Sequence, residues 1–243
     1  SSAFKKVMNK LDVLAPLGYS ASGEVIKVGY GISKFKVGDK VACAGAEIAN
    51  HAEVISVPEN LVVKVPNEVT CSEASFATVA SIAMHGVRQS GLRLSENCVV
   101  IGLGLIGQLT VQILKASGIK VIGIDIEKGS LELAKKSGAD LVFERHNGQE
   151  EQSIMNVTGG YGTDAVIITA ATNSLDPIEL AGKLCRKRGK VIIVGDVPTG
   201  FSRNQYYKKE LELRMATSYG PGRYDPQYEE QGLDYPIAYV RWT

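Results

Sequence analysis

Cysteine and histidine are scarce, with 4 Cys and 3 His among 243 residues. The cysteines, Cys43, Cys71, Cys98 and Cys185, are scattered with no CxxC pair, which excludes a disulfide framework and a structural zinc ribbon. They read as buried thiols of a reducing cytoplasm. An excess of either charge is also missing, since 27 Lys and Arg face 26 Asp and Glu. No global field draws the chain to nucleic acid or to an anionic membrane, so the expected partner is a small, roughly neutral molecule. No uninterrupted apolar run approaches the length that crosses a bilayer, and the opening "SSAFKKVMNK" lacks the apolar core of a signal peptide. The expected location is cytoplasmic. Internal repeats and low-complexity segments are absent as well.

What is present is a chain with 44% hydrophobic and 22% charged residues, long enough for two modest cores. Phe4, Val7, Met8 and Leu11 have helical spacing that stops before Pro16. From Gly18 to about Pro66, short β-branched runs ("EVIKV", "DKVAC", "AEVISV", "LVVKV") alternate with glycine and proline and predict a small β-rich domain. "SEASFATVASIAMHGVRQSG", Ser72 to Gly91, predicts a connecting helix. Strands and helices then alternate: "NCVVIGL", "IKVIGID", "ADLVF", "TDAVIITA", "KVIIVGD" and "ELELRMATS" read as strands, and "NSLDPIELAGKLCRKRG" as one helix ended by Gly189. The expected fold is α/β, a doubly wound parallel sheet of the Rossmann kind beside a partial β-rich domain. The expected boundaries are 1–91, 92–218 and an irregular tail 219–243 with a strand at "IAYVRW".

Gly102-Leu103-Gly104-Leu105-Ile106-Gly107 matches GxGxxG directly after a buried strand and at the opening of a helix. In that context the first glycine permits the turn, the second the approach of a pyrophosphate, and the third close packing of helix on strand. Asp125 closes the next strand, where a carboxylate accepts hydrogen bonds from ribose hydroxyls and repels a 2′-phosphate. NAD is therefore expected over NADP, and Gly102, Gly104, Leu105, Ile106, Gly107 and Asp125 are the expected cofactor-binding residues. An Asp that merely caps the next helix is the compatible, blander reading. Ala170 and Gly195, at the ends of later strands, are expected to border the nicotinamide, because ligands lie at strand C-termini.

The order of a β-rich domain, a connector and "GLGLIG" resembles the medium-chain dehydrogenase/reductase superfamily, the alcohol dehydrogenase-like proteins. "GEVIKVGYGISKFKVGDKV" is similar to that family's G-x-V-x-x-V-G followed by F-x-x-G-D-x-V. The resemblance implies a GroES-like domain, a Rossmann domain, and hydride transfer at a nicotinamide in the cleft between them. It leaves open a homodimer paired through the sixth strands.

Where zinc-dependent members of the family carry Gly-His-Glu, this chain has Gly18-Tyr19-Ser20. A third ligand, usually cysteine, falls near Thr78, and the lobe that holds a structural zinc is absent after "GDKVA". The expectation is zinc-free chemistry, with Tyr19, Ser20 and Thr78 as candidate catalytic residues and no metal ligands. His51, His85 and Cys43 lack metal-ligand spacing. Tyr19 offers a phenol of reference pKa about 10, a neutral donor able to polarise a carbonyl or pass a proton, and Ser20 could hold the same oxygen. Packing at a domain seam is the alternative for Tyr19.

The tail "ELELRMATSYGPGRYDPQYEEQGLDYPIAYVRWT" with "PLGYS" resembles bacterial bi-domain oxidoreductases in which this unit is fused to a Gfo/Idh/MocA-type domain, which implies a sugar or sugar-nucleotide substrate. No second fingerprint is present and the family's upstream strands are missing, so the chain is expected to be one part of a longer protein. Arg223 with Tyr219 and Tyr224 could line a sugar pocket. The cations of "CRKRGK" read as complementing a helix C-terminus. The rival function is a non-catalytic nucleotide-binding or assembly module of that longer protein. Alkene or quinone reduction, which usually uses NADPH, is disfavoured by Asp125.

Overall fold

The computed structural model describes residues 16–240. The helix expected over Phe4 to Leu11 lies outside the described residues. The chain divides into two compact units: one holds the described residues up to Val79 and those from Pro221 onward, and the other runs from Ala80 to Gly220.

In the first unit, β1 (Ser20–Glu24), β2 (Lys40–Ala44) and β3 (Val62–Lys64) form an antiparallel sheet in that order. Ser20 stands opposite Ala44 and Glu24 opposite Lys40. The first strand thus lies earlier than "EVIKV" suggested. Its partner begins only after the turn at Gly38 and Asp39, so Val25, which exchanges backbone bonds with Asp39 and Gly38, is the last residue with a neighbour to pair. "AEVISV" forms no strand either. Both sides of β2 are already taken, and Ile55 and Val57 pack instead on the small cluster of Val41, Cys43 and Ala49.

The connector is two helices, α1 (Cys71–Ala74) and α2 (Ala77–Ser90), rather than one. Thr70 caps α1 in a capping box with Glu73. Hydroxyls of β1 meet the α1 carbonyls, Ser22 donating to Cys71 O and Ser20 to Ser75 O, and the helix stops there. The tail returns to this unit as a short helix whose Tyr228 accepts from Asn60 Nδ2 at 3.0 Å and donates its hydroxyl to Asn60 O at 3.3 Å. Tyr235 stacks on Tyr228 with centroids 5.8 Å apart. The strand expected at "IAYVRW" is absent where described, because Pro236 O collects the N–H groups of Tyr239 and Val240 in a turn. Arg241 and Trp242 lie outside the described residues.

The second unit is a six-stranded, wholly parallel sheet: β4 (Asn97–Ile101), β5 (Lys120–Asp125), β6 (Leu141–Glu144), β7 (Thr163–Ile168), β8 (Cys185–Ile193) and β9 (Glu212–Met215), in the order β6-β5-β4-β7-β8-β9. Alternate residues of each strand feed opposite faces. Val99, Ile101, Ile122 and Ile124 join the core against α5 (Glu150–Val157), α6 (Asp176–Leu184) and α7 (Arg203–Lys209). Cys98, Val100 and Val121 join the core against α2, α3 (Leu105–Ala116) and α4 (Lys128–Lys136). Burial on both faces explains why these strands read as continuous apolar runs. It also pushes the Cys98 and Cys185 thiols upward, the latter to about 12. All four cysteines are unbridged.

One boundary corrects the expectation. The helix ends at Leu184, and "CRKRG" belongs to β8. Gly189 therefore does not end it, and the cations there do not complement its dipole. That role falls to Lys209 at the end of α7, whose ammonium donates to the carbonyls of Gly182, Lys183 and Cys185 at 3.0, 2.7 and 2.8 Å. Arg186 pairs instead with Asp164. The helix α7 had no counterpart in the sequence reading; it is seated by Tyr206, whose hydroxyl donates to Ile178 O at 2.8 Å.

Candidate functional site

The strand order reverses at β4, between β5 on one side and β7 on the other, and the glycine loop leaves from that point. Open sheets bind ligands at such a switch, beyond the strand C-termini. Gly102 has φ +92, and a Cβ there would stand 2.5 Å from Ala170 N. At Gly107 a Cβ would stand 2.1 Å from Gly102 O, so the third glycine lets α3 press against the loop. At Gly104 a Cβ would meet nothing within 4 Å. This glycine lines open space at the N-terminus of α3, where Leu105, Ile106 and Gly107 begin the helix and no side chain caps it. Its first N–H groups are therefore available to an anion. Structural need explains the first and third glycines, and the second is a cradle that a side chain would fill. The residues present fit a dinucleotide.

Ala170 and Gly195 come together with Gly102: a Cβ on Gly195 would stand 2.0 Å from Ala170 O, and Ala170 N donates to Ile101 O at 3.1 Å. Their small size is thus explained by contact between the ends of β4, β7 and β8. Thr169 adds a hydroxyl bond to Gly102 O.

Asp125 ends β5. Its Oδ2 accepts from the Leu103 N–H and its Oδ1 from the Glu127 N–H at 2.9 Å. Each oxygen retains lone-pair capacity for a ribose hydroxyl. Of the nearby cations, Arg145 is locked between Glu150 and Asp176, whereas Lys128 is largely exposed, 3.9 Å from Glu144. The sequence reading passed over Gln108, buried on α3, whose Nε2 donates to Leu103 O at 2.8 Å and Ser130 O at 2.9 Å. A glutamine on the buried face of an apolar helix was its one signal.

In the first unit, Tyr19, Ser20 and Thr78 gather around the end of β2. Gly45 N donates to Tyr19 O at 3.1 Å, Ser20 Oγ donates to Ser75 O at 2.5 Å, and Thr78 Oγ1 donates to Cys43 O at 3.1 Å. Thr78 is buried, whereas the Tyr19 side chain is 43% exposed. The two hydroxyl hydrogens are thus directed at backbone, which leaves Ser20 and Thr78 as acceptors. His51 joins the same corner: its N–H donates to Leu17 O at 2.8 Å, and its imidazole lies so close to Gly18 that a Cβ there would be 2.4 Å from Cδ2. His85 belongs to the other unit, where burial, with Arg88 nearby, holds its pKa down. Burial raises the Cys43 thiol. Among the described residues, no group of three His, Cys, Asp or Glu side chains is placed to hold a metal ion.

The residues suggested for a sugar pocket have these partners. The Arg223 guanidinium pairs with Glu229 at 2.8 and 3.0 Å and lies over the Tyr224 ring, and Tyr219 belongs to the other unit.

The zinc-binding dehydrogenase family matches residues 106–231, more than half of the chain, and the alcohol dehydrogenase GroES-like domain matches residues 3–67. The chain belongs to the zinc-binding dehydrogenase family. Its relatives include D-xylulose reductase A of Aspergillus oryzae, 29% identical, the match covering 86% of this chain and 67% of that protein. An alcohol dehydrogenase of Geobacillus stearothermophilus is 29% identical over 74% of this chain and 61% of its own. The 2R,3R-butanediol dehydrogenase structure from Bacillus subtilis shares the fold with a TM-score of 0.75, 24% identity, and coverage of 85% of this chain and 66% of its own. The chain thus spans about two thirds of the length of these relatives. The open glycine loop leaves room for a cofactor of the NAD(P) type that is typical of this family. No helix among the described residues is long and apolar enough to cross a membrane.

Proposed function

We propose that this dehydrogenase is NAD-linked, works without catalytic zinc, and interconverts a carbonyl and an alcohol on a small polyol or sugar. The observation that carries the reading is the Asp125 carboxylate, held at the end of β5 by two backbone donors beside a loop whose central glycine faces open space. A 2′-phosphate there would meet a negative charge, while the nearby Arg145 is paired with the carboxylates of Glu150 and Asp176. Reduction requires a hydride on the carbonyl carbon and a proton on its oxygen. A nicotinamide dinucleotide held at the glycine loop and Asp125 would supply the hydride, and the exposed Tyr19 phenol gives the proton and is reprotonated from solvent. Ser20 and Thr78, with their hydrogens on backbone carbonyls, support the local backbone more than they act on substrate. The polyol or sugar class is supported by the D-xylulose reductase relatives. The edge strand β9 offers a second copy a side on which to pair.

A second reading, a nucleotide-binding module without catalysis, is favoured by one observation: two of the three candidate hydroxyls are tied into the backbone. Fluorescence titration of the chain with NADH and with NADPH, followed by turnover of D-xylulose with NADH, tests both. Saturable NADH binding with NADPH much weaker supports the cofactor assignment, and equal binding overturns it. Binding without turnover of any ketose or polyol favours the module.

A further inference from the structure

We infer that Gln108 is a positioning residue for the dinucleotide, one that sets the spacing between the glycine loop and the ribose-binding end of β5. The inference rests on the nucleotide reading above. Gln108 follows the last glycine of the loop and is 7% exposed. Its Nε2 donates to two carbonyls from different segments, Leu103 O at 2.8 Å and Ser130 O at 2.9 Å. Leu103 lies between the first two glycines, and Ser130 lies in the first turn of α4, just beyond Asp125. The same Leu103 gives its N–H to Asp125. The peptide groups around Leu103 are therefore held on both sides, the N–H by the ribose carboxylate and the carbonyl by Gln108.

The other end of the side chain carries a cost. Gln108 Oε1 is buried with no hydrogen-bond partner. An unpaired buried amide oxygen is unfavourable, and a methionine or leucine would fill the volume without it. Stability therefore pulls both ways: Nε2 satisfies the buried Leu103 carbonyl, while Oε1 is left unpaired. Its amide nitrogen is the neutral group that gives two donors from one atom at this reach; asparagine is one methylene shorter, and lysine or arginine would bury a charge. A ligand that spans the loop and Asp125 uses the spacing Gln108 fixes, whereas one that touches only the ribose side does not.

The test compares the full chain with Gln108→Met and, as a second variant of different shape, Gln108→Leu. Thermal midpoint, NADH affinity by fluorescence and adenosine affinity by NMR titration are the readouts. The expected result is a modestly lowered thermal midpoint with the chain still folded, an NADH Kd weakened about tenfold, and an adenosine Kd within twofold of the parent. NADH binding equal to the parent overturns the inference. Proportional weakening of NADH and adenosine overturns it too, because a general structural role would act on both. Should the parent chain itself bind no NADH, the nucleotide reading fails first and this inference with it, a result distinguishable from a selective failure of the variants.

Discussion

The backbone N–H of Leu103 donates to the carboxylate of Asp125, so the residue expected to read the ribose also holds the loop expected to seat the pyrophosphate. Cofactor choice and loop geometry are therefore one structural problem.

Replacement of Asp125 by Asn consequently does more than remove a charge. The amide can accept from only one of the Leu103 and Glu127 N–H groups, and its NH2 faces the other, donor against donor. NADH affinity falls at least about tenfold, and NADPH affinity does not rise to the parent's NADH value. Titration of both cofactors checks this; a clean switch to NADPH would refute the coupling.

The three glycines separate fold from function. Gly104→Ala places its methyl in open space with φ −67 already acceptable, so the thermal midpoint holds while NADH affinity drops at least about tenfold. Gly107→Ala drives a methyl against Gly102 O and destabilises the fold by roughly 1–3 kcal/mol. Thermal melts beside binding curves distinguish the two.

At the other candidate site, Tyr19→Phe is expected to lower turnover about a hundredfold with the melting temperature unchanged, since the side chain is exposed. Ser20→Ala and Thr78→Val behave oppositely: each loses a bond to a backbone carbonyl, costing about 1 kcal/mol, with turnover reduced far less. Full turnover in Tyr19→Phe would remove the phenol from the mechanism.

The Arg145 cluster makes a pH prediction. Hydrogen bonding to Arg145 holds the Asp176 pKa below its ordinary value, and the Glu150 pKa is also lowered despite the opposing cost of burial. Both contributions to stability are complete above the unfolded carboxylate values and fade as pH falls through the folded ones. Arg145→Met leaves Glu150 buried without its partner, a loss of about 3 kcal/mol at pH 7. In that variant the Glu150 pKa rises, so part of the loss returns on acidification towards pH 5, opposite in sign to the parent. Denaturant melts across pH 4–8 measure both slopes.

Much of the sheet was legible because a strand buried on both faces has little choice but to be apolar. The α6 to β8 boundary was not, since "CRKRG" looks like a polar helix end and its replacement cap, Lys209, is far along the chain. In the first unit, "EVIKV" has the composition of a strand, yet pairing depends on where Lys40 begins. The fingerprint and Asp125 were legible as local patterns. The bonds that give Ser20, Thr78 and Gln108 their roles connect residues distant in sequence or adjacent only through a turn, and composition does not carry them.

The first unit has its own order of events. Asn60 and Tyr228, which bond to each other, are 168 residues apart, whereas everything from Ala80 to Gly220 is contiguous. During synthesis the sheet carrying the dinucleotide loop has all its partners once Gly220 has emerged, and it is expected to fold while Asn60 still waits for Tyr228. A nascent chain halted between Gly220 and Tyr228 would then be competent to hold a cofactor before the first unit has closed.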